Sequence, residues 1–318
     1  MQRVPLVVIL PAMSNDPATS TESALVTATY SREMNLELAS GDVVRARIKG
    51  KKLKPVCGDR VQAHAIDNEP EWLITSIDER RNELTRPNMR GKVEVLAANV
   101  DFLVVVAAST PTPDWFIVDR YLCAAELMNV DAAVVYNKTD LDFEREAISS
   151  ELAIFSAAGY ETLMCSAKAR QNIDLLQSLL AHRISLIVGQ SGVGKSSIIN
   201  LLTADAQQKT GAVSRSSGAG RHTTVNSSML HIVNDGKVID SPGVRDYAPA
   251  IQSSNQVAAG FREIREAGNS CRFANCQHHK EPGCAVKIAV RSGQISQRRY
   301  GSFRRLIVSS EQLANRKY

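Results

Sequence analysis

The sequence has few aromatic residues and no long apolar run. Aromatic side chains make up 5% of its 318 residues, which argues against a surface built on rows of stacked bases. No apolar stretch approaches the roughly 18 residues that span a bilayer, so we expect no membrane association and a cytoplasmic location. A hydrophobic content of 44% with 22% charged residues is ordinary for a globular protein and excludes a disordered chain.

Cysteine is also sparse, and its distribution argues against a disulfide framework. Cys271, Cys276 and Cys284 lie close together with His278, whereas the other cysteines are scattered. This spacing is typical of a metal site in a reducing compartment. Three thiolates and one imidazole suit tetrahedral Zn²⁺ and leave no open position for a catalytic water, so we predict one structural zinc ion. The adjacent His279 is the rival for the histidine ligand.

The N-terminal part of the chain shows short β-strand patterns and no helix of normal length. Residues 1–22 contain an apolar stretch that only superficially resembles a signal peptide, and we expect an N-terminal extension without fixed structure. Between residues 23 and 90, runs such as Val43 to Ile48 and Trp72 to Ile77 are separated by Gly, Asp and Lys. Several closely spaced strands predict a small all-β, OB-like barrel.

Residues 91–247 change to apolar strand patterns that alternate with helical ones. The strand patterns are Phe102 to Ala107, Ala132 to Tyr136, Ile184 to Val188 and Lys237 to Ile239. This alternation predicts an α/β domain with a mostly parallel sheet covered on both faces. Residues 248–318 combine the Cys/His cluster with helical, basic sequence, and we expect a small, mainly α-helical zinc-binding domain.

A phosphate-binding loop is predicted at Gly189-Gln-Ser-Gly-Val-Gly-Lys-Ser196, which fits G-x-x-x-x-G-K-[ST] between a predicted strand and a predicted helix. Its backbone N–H groups would surround the phosphates at the positive end of the helix. Lys195 would reach the β- and γ-phosphates, and Ser196 would bind Mg²⁺. The predicted nucleotide contacts in this segment are Gly189, Gln190, Ser191, Gly192, Val193, Gly194, Lys195, Ser196 and Ser197.

The segment Asn137-Lys138-Thr139-Asp140 predicts that the nucleotide is GTP rather than ATP. The Asp140 carboxylate can accept both N–H donors on the Watson–Crick edge of guanine, an arrangement that adenine does not offer. Lys138 would lie along the plane of the base, and Asn137 would brace the loop. A second loop that contacts the base is predicted at Ser166, Ala167 and Lys168.

Two further segments predict the switch regions of a GTPase. Asp240-Ser-Pro-Gly243 resembles the D-x-P-G switch, in which Asp240 would hold Mg²⁺ through water and the Gly243 N–H would contact the γ-phosphate. Within Gly220-Arg-His-Thr-Thr224, Thr224 would complete the Mg²⁺ shell, with Thr223 as the alternative.

The motifs are those of Ras-like GTPases in a permuted order, because the guanine-recognition segment precedes the phosphate-binding loop. The Asp240 switch therefore leads directly into residues 248–318, and the state of the nucleotide can act on that domain. Val244 follows Gly243, where Ras-type enzymes carry the Gln that orients water, so we expect slow intrinsic hydrolysis. His222 is the candidate for orienting the water, and it is equally compatible with an RNA contact.

Permuted motifs between a small barrel and a zinc module of three cysteines and one histidine resemble the ribosome-small-subunit-dependent GTPases of the RsgA family. The resemblance runs from Ala24 to Tyr318 and includes Lys54-Pro-Val-Cys-Gly-Asp-Arg-Val61 in the barrel. It implies an OB barrel, a circularly permuted GTPase domain and a zinc domain that bind the maturing small (30S) ribosomal subunit and its rRNA. GTP hydrolysis to GDP would time release, and we expect a monomer.

The placement of charge fits a polyanionic partner independently of the motifs. The formal net charge is +5, and most of the C-terminal charges are positive. Clusters of this kind supply salt-dependent affinity for RNA, although a solvated basic surface is the alternative. The basic residues after the switch are Arg262, Arg265, Arg272, Lys280, Lys287, Arg291, Arg298, Arg299, Arg304, Arg305, Arg316 and Lys317.

Two other functions remain open on the sequence alone. The chain could be a metabolic or RNA-modifying enzyme that consumes GTP as a substrate, but no second catalytic constellation is evident. It could also be a scaffold that binds GTP without useful hydrolysis. Stimulation of GTP turnover by ribosomal subunits would distinguish a GTPase switch from both of these alternatives.

Overall fold

The computed structural model describes residues 21–31, 33–48, 50, 52–87, 93–210, 227–240 and 253–315. Its strands are β1 Glu22–Thr29, β2 Met34–Glu37, β3 Val43–Ile48, β4 Arg60–Ala65, β5 Trp72–Ile77, β6 Glu83–Pro87, β7 Val93–Ala98, β8 Phe102–Ala108, β9 Asp131–Asn137, β10 Glu161–Met164, β11 Ile184–Gly189, β12 Ser227–His231 and β13 Lys237–Asp240. Its helices are α1 Trp115–Met128, α2 Arg145–Ala157, α3 Ile173–Leu180, α4 Lys195–Thr210, α5 Ser254–Ala259, α6 Arg262–Gly268, α7 Ala285–Arg291 and α8 Gln297–Asn315.

The first five strands close into a barrel. Their order is β1-β2-β3-β5-β4, and β4 pairs back with β1. All of these pairs are antiparallel except β3 with β5, which are parallel. Because side chains alternate across a strand, one set fills the interior, where Val26, Leu36, Val61 and Ile74 are fully buried. The predicted OB-like barrel is confirmed, and β2 is a strand that the sequence patterns did not reveal.

The barrel segment Lys54 to Val61 is a structural turn. The Asp59 carboxylate accepts hydrogen bonds from the Val56 N–H at 2.8 Å and from Arg80 Nε at 2.7 Å. Asp59 is fully buried, and a buried carboxylate needs a compensating charge. The Arg80 guanidinium supplies it. Gly58 has a φ of 94°, and a Cβ there would lie 2.0 Å from the Ala98 carbonyl oxygen. This position therefore requires glycine.

The α/β part of the chain is a parallel sheet with helices on both faces, as predicted. Its strand order is β10-β9-β8-β11-β13-β12, and all pairs are parallel except β12 with β13. Successive residues of β8 face opposite sides. Leu103 and Val105 pack into the cluster formed with α1 and α2, whereas Phe102 and Val104 pack into the one formed with α3 and α4. The sheet is thus buried on both faces.

The barrel and the parallel sheet are hydrogen-bonded to each other. Strand β12 pairs antiparallel with β1, with Ala28 opposite Ser228 and Thr29 opposite Ser227. The result is one continuous sheet of 11 strands. Beside this seam, the Glu37 carboxylate on β2 accepts a hydrogen bond of 2.6 Å from Lys237 on β13. Strands β6 and β7 pair in a separate ribbon.

The predicted domain boundaries stay predictions. The boundary expected between residues 90 and 91 falls between β6 and β7, which pair with each other. Residues 1–20 of the expected extension lie outside the described residues, and Glu22 is already the first residue of β1. Among the described helices, none combines the length and apolar character needed to cross a lipid bilayer.

The C-terminal helices α5 to α8 form a small helical module that packs on α1. Phe261 and Phe303 lie at its centre with ring centroids 5.7 Å apart in an edge-on arrangement. Cys123 of α1 belongs to the same apolar cluster. A Cβ at Gly260 would lie 2.1 Å from the Cys123 Sγ atom, so the absence of a side chain at residue 260 allows this close approach.

A buried ion network crosses the contact between α1 and the module. Arg299 on α8 is 1% exposed and donates to Asp119 on α1 at 2.8 Å and to Glu263 on α6 at 2.9 Å. Burial raises the pKa of Asp119, whereas Arg299 and Arg298 act to lower it. Arg262 donates to Glu126 of α1 at 2.6 Å. Arg299 therefore differs from the expectation that the C-terminal basic residues form a surface for RNA, because it is an internal ion-pair residue.

Candidate functional site

The predicted nucleotide segments meet at one edge of the parallel sheet. Strand β9 ends at Asn137, β11 ends at Gly189 and β13 ends at Asp240. These strands run parallel, so their carboxyl ends lie along the same edge. Ligands of open α/β sheets bind at this edge. The fold thus brings together residues that are far apart in the sequence.

The phosphate-binding loop connects β11 to α4 through glycines that allow close packing. Gly189 has a φ of 141°, and a Cβ there would lie 2.2 Å from the Val106 carbonyl oxygen on β8. Gly194 has a φ of 94°, and a Cβ there would lie 2.4 Å from Nδ2 of Asn137. Helix α4 begins at the next residue, Lys195, so its free N–H groups face the loop.

The Lys195 ammonium lies inside this loop. Its Nζ atom donates to the carbonyl oxygens of Gly189 and Gln190, both at 2.8 Å. The residue is 6% exposed, so the charge is held in a confined space with backbone dipoles around it. A positive charge and helix N–H groups converging on one loop are suited to binding a phosphate chain.

Asn137 joins the phosphate-binding loop to the second predicted base-contacting loop. Its Nδ2 atom donates to the Val193 carbonyl oxygen at 3.0 Å. Its Oδ1 atom accepts from the Ala167 N–H at 3.0 Å. Asn137 is 2% exposed, so both bonds are shielded from water. One side chain therefore fixes the distance between the two loops.

Asp140 and Lys138 also form hydrogen bonds with these two loops, on the side that faces solvent. The Ser166 hydroxyl donates to the Asp140 carboxylate at 2.5 Å, and this bond is the main cause that lowers the pKa of Asp140. The carboxylate is therefore ionised at neutral pH and keeps acceptor positions for N–H donors. Lys138 Nζ donates to the carbonyl oxygens of Thr110 at 2.6 Å and Gly192 at 2.7 Å. Lys168 is exposed beside Asp140.

A second set of side chains, which the sequence analysis missed, supports the Ser166 to Lys168 loop from behind. Arg170 pairs with Asp205 of α4, and Gln177 of α3 donates to the same carboxylate at 2.8 Å. Asp205 is 8% exposed. In the sequence these residues look like ordinary surface charges of helices and turns, since no motif includes them. Only the packing of α3 against α4 reveals that they brace the loop.

The predicted magnesium ligands are only partly covered by the structure. Ser196 is exposed in the first turn of α4, and Asp240 ends β13 at the same edge of the sheet. A hydroxyl and a carboxylate are oxygen donors of the kind that Mg²⁺ binds. Thr223, Thr224, His222 and Gly243 lie outside the described residues, so their predicted roles stay predictions.

The four predicted metal ligands converge in the helical module. The ligand atoms of Cys271, Cys276, His278 and Cys284 all lie within 4.8 Å of one another. The Sγ atoms of Cys271 and Cys284 are 3.8 Å apart, and each lies 3.5 Å from Nδ1 of His278. A tetrahedron with Zn–S bonds of about 2.3 Å has edges of about 3.8 Å, so the cluster could hold a zinc ion.

The surroundings of the cluster favour the metal-binding forms of His278 and Cys271, whereas burial raises the pKa of the Cys276 thiol to about 12. Burial lowers the pKa of His278, which keeps the imidazole neutral. For Cys271, burial acts to raise the pKa of the thiol, but backbone N–H groups of Val286 and Ala285 oppose it and the pKa is lowered overall. The rival ligand His279 is exposed and outside the cluster, and its N–H donates to Glu281.

Comparison with known proteins finds close relatives along nearly the whole chain. A sequence model of the family described as RsgA GTPase matches residues 77–249. The small ribosomal subunit biogenesis GTPase RsgA of Actinobacillus pleuropneumoniae serotype 5b is 36% identical over 302 residues, covering 93% of this chain and 88% of the relative. The protein of the same name from Haemophilus influenzae strain 86-028NP is 35% identical over 310 residues, covering 96% and 90%.

Two solved structures share the fold. The crystal structure of YjeQ from Thermotoga maritima matches with a TM-score of 0.74 and 27% identity, covering 92% of this chain and 99% of that one. The structure of YloQ, described as a circularly permuted GTPase, matches with a TM-score of 0.72 and 26% identity, covering 93% and 97%. Both matches include the barrel, the parallel sheet and the helical module, since each spans nearly the full chain.

Proposed function

Since the chain belongs to the RsgA GTPase family, we propose that it hydrolyses GTP to GDP and phosphate as a late factor in maturation of the small ribosomal subunit. The relatives named above are small ribosomal subunit biogenesis GTPases. Their names point to the small subunit and to GTP as partners. The permuted order of the motifs agrees with the description of YloQ as a circularly permuted GTPase.

The observation that carries the proposal is the double hydrogen bond of Asn137. It joins the phosphate-binding loop to the Ser166 to Lys168 loop at 3.0 Å on either side. A phosphate loop alone would not distinguish GTP from ATP. Because Asn137 holds the two loops at a fixed distance, one nucleotide can contact both, with its base beside Asp140.

Each predicted contact has a specific part in binding the nucleotide. Lys195 would exchange its bonds to loop carbonyls for the β- and γ-phosphates, and the N–H groups at the start of α4 would bind the phosphate oxygens. Asp140 would accept from the guanine edge. Lys138 would lie along the base, since its Nζ atom is anchored at 2.7 Å to Gly192 of the phosphate loop.

Magnesium would be held at the carboxyl edge by Ser196, by Asp240 through water, and by Thr224 or Thr223. The ion supplies neutralisation of the charge that develops on the phosphates. Hydrolysis further requires an oriented water, and we assign that task to His222. Val244 has no hydrogen-bonding group, so the intrinsic rate would be low until binding of the small subunit positions the water.

The Cys/His cluster would hold a structural Zn²⁺. With four protein ligands the metal has no open coordination position, so its task is to fix the loop between α6 and α7. The helical module and the barrel carry basic residues whose phosphate contacts would supply affinity for rRNA. Arg272, Lys280, Lys287, Arg291 and Arg304 belong to that surface, whereas Arg262 and Arg299 pair with acidic residues of the protein itself.

The proposal is tested by measuring GTP turnover of the purified chain alone, with small subunits and with large subunits. We expect strong stimulation by small subunits only, and no turnover of ATP. A chain that only bound GTP as a scaffold would show no stimulation by either subunit. An enzyme that consumed GTP as a substrate would give products other than GDP and phosphate, which chromatography of the reaction would reveal.

A further inference from the structure

Phe273 is the one aromatic residue with an exposed ring in the described part of the chain. It is 39% exposed, whereas the other aromatic side chains within those ranges are buried or half-buried. Leaving an aromatic ring in water forgoes the stabilisation that burial would give. The position of this ring is therefore unlike that of any other Phe, Tyr or Trp that the structure describes.

The ring stands on the loop that the metal cluster fixes. Phe273 lies between the ligands Cys271 and Cys276, and its carbonyl oxygen accepts from the Cys276 N–H at 3.1 Å. The Arg272 guanidinium lies 5.6 Å from the centre of the ring, within the range of a cation–π contact. Tethering at both ends and a neighbouring guanidinium restrict the motion of the ring, so little conformational entropy is lost when a partner packs on it.

The charge around Phe273 is positive. Arg272 and Lys280 are exposed on the same loop. The acidic residue of this loop, Glu281, accepts hydrogen bonds from the backbone N–H groups of Gln277 at 3.0 Å and His279 at 2.8 Å. The Tyr300 hydroxyl donates to the His278 carbonyl oxygen, which brings α8 against the loop. Arg304 follows Tyr300 by one helical turn and so lies on the same side of α8.

We propose that Phe273 stacks on an unpaired base of the small subunit's RNA while the surrounding cations contact the neighbouring phosphates. This inference rests on the proposed function and assigns one contact within it. A basic rim around a single restrained aromatic ring matches single-stranded RNA, whose unstacked bases pack on aromatic side chains between phosphates. The low aromatic content argues against a row of stacked bases. A contact with a single base needs only one exposed ring.

The test compares three substitutions of Phe273 in the full, zinc-loaded chain. We measure the dissociation constant for purified small subunits in the presence of a non-hydrolysable GTP analogue. Stacking on one base contributes about 1–3 kcal/mol, so Phe273→Ala should weaken binding by about 5- to 150-fold. Phe273→Trp should keep the parent affinity, whereas Phe273→Leu should resemble Ala because Leu is apolar but has no π face.

The controls separate a lost contact from a lost fold. Zinc content per chain should be unchanged in all three variants. The matched control is Leu127→Ala on α1, since Leu127 has nearly the same exposure, 38%, and lies outside the loop; it should bind like the parent. Ultraviolet cross-linking of the parent to the subunit should attach an rRNA nucleotide to the peptide that contains Phe273.

Two results would overturn the inference. Parent affinity in Phe273→Ala would show that the ring contacts nothing. Parent affinity in Phe273→Leu together with loss in Phe273→Ala would show that an apolar pocket of a ribosomal protein, not a base, receives the side chain. If the parent chain itself fails to bind small subunits, the proposed function fails first, and this outcome is seen before any variant is compared.

Discussion

The nucleotide site draws its residues from segments that lie far apart in the sequence, whereas the metal cluster draws all its ligands from the short stretch Cys271 to Cys284. At the nucleotide site, strands buried on both faces of a sheet fix the loops that follow them. At the cluster, short helices and turns bring the ligands together against the small apolar core of the helical module. The first site depends on the sheet, and the second would depend on the zinc ion that we propose.

Because the two sites are held together in different ways, damage to each should spread differently through the chain. Damage to the metal cluster should stay in the helical module, because the parallel sheet has its own core. Damage to the contact between α1 and the module should affect both regions, because Asp119 belongs to one and Arg299 to the other. Damage to the nucleotide loops should change activity with little effect on stability.

The largest expected effect is that of removing zinc. Structural zinc commonly contributes about 10–16 kcal/mol to a small metal-dependent fold, so chelation should unfold α5 to α8 and abolish binding to small subunits. Hydrogen exchange should show loss of protection in the module and retained protection in β8, β9 and β11. Metal analysis that finds no zinc in protein purified without chelators would contradict the assignment. Loss of protection in the sheet would show that the sheet, too, depends on the metal cluster.

The next effect concerns the buried ion network. Removing one partner of a buried pair leaves an uncompensated charge and costs about 3–5 kcal/mol, which Arg299→Ala should show as a reduced free energy of unfolding. Arg265→Ala is the matched control, because this arginine also faces α1, at 3.4 Å from Glu126, but its side chain is 51% exposed. Glu126 keeps its 2.6 Å bond to Arg262 in this variant, and losing a contact from an exposed guanidinium costs about 0–1 kcal/mol. Equal destabilisation by both substitutions in urea titrations would show that burial is not the cause.

The third prediction concerns catalysis and follows from the sequence, since His222 lies outside the described residues. His222→Ala should abolish small-subunit-stimulated turnover, a loss of about 100- to 10,000-fold for a group that positions or accepts a proton. GTP affinity and GTP-dependent binding to the subunit should change little. Measured single-turnover rates decide the matter: stimulated hydrolysis that persists in the variant would mean that another residue or a ribosomal group positions the water.

The smallest expected effect concerns selectivity for the base. Asp140→Asn replaces one acceptor oxygen by a donor and removes a charged hydrogen bond, which is worth about 1.5–3 kcal/mol and so roughly tenfold to a hundredfold in GTP affinity. Binding of xanthosine nucleotides should improve, because the xanthine edge offers an acceptor to the new N–H group. Equal affinity of the parent chain for ATP and GTP would refute the role of Asp140.

The fold was predictable wherever a pattern is local. A continuous apolar run predicts strand β8, because both faces of this strand are buried. The phosphate loop that precedes α4 predicts that helix. The metal ligands were predictable from their spacing. All of these signals lie within short windows of sequence.

The features that escaped prediction depend on pairings between distant segments. Strand β12, Ser227–His231, contains two serines and a histidine, and only its partners β1 and β13 make it a strand. The same holds for Arg299, which among twelve basic residues is distinguished only by the acids that face it in the folded chain. Sequence spacing gives no information on such contacts.

The seam between β1 and β12 has a consequence for the order of events during synthesis. The barrel strands β1 to β5 lie within residues 22–77 and can pair as soon as that stretch has left the ribosome. The bond between Lys237 and Glu37 closes over a separation of 200 residues, so the edge of β1 that faces β12 stays open until residues 227–240 have been translated. An unpaired edge is a template for pairing with another chain. For this chain the vulnerable interval therefore falls in the seconds of translation between β5 and β12, before the finished protein exists.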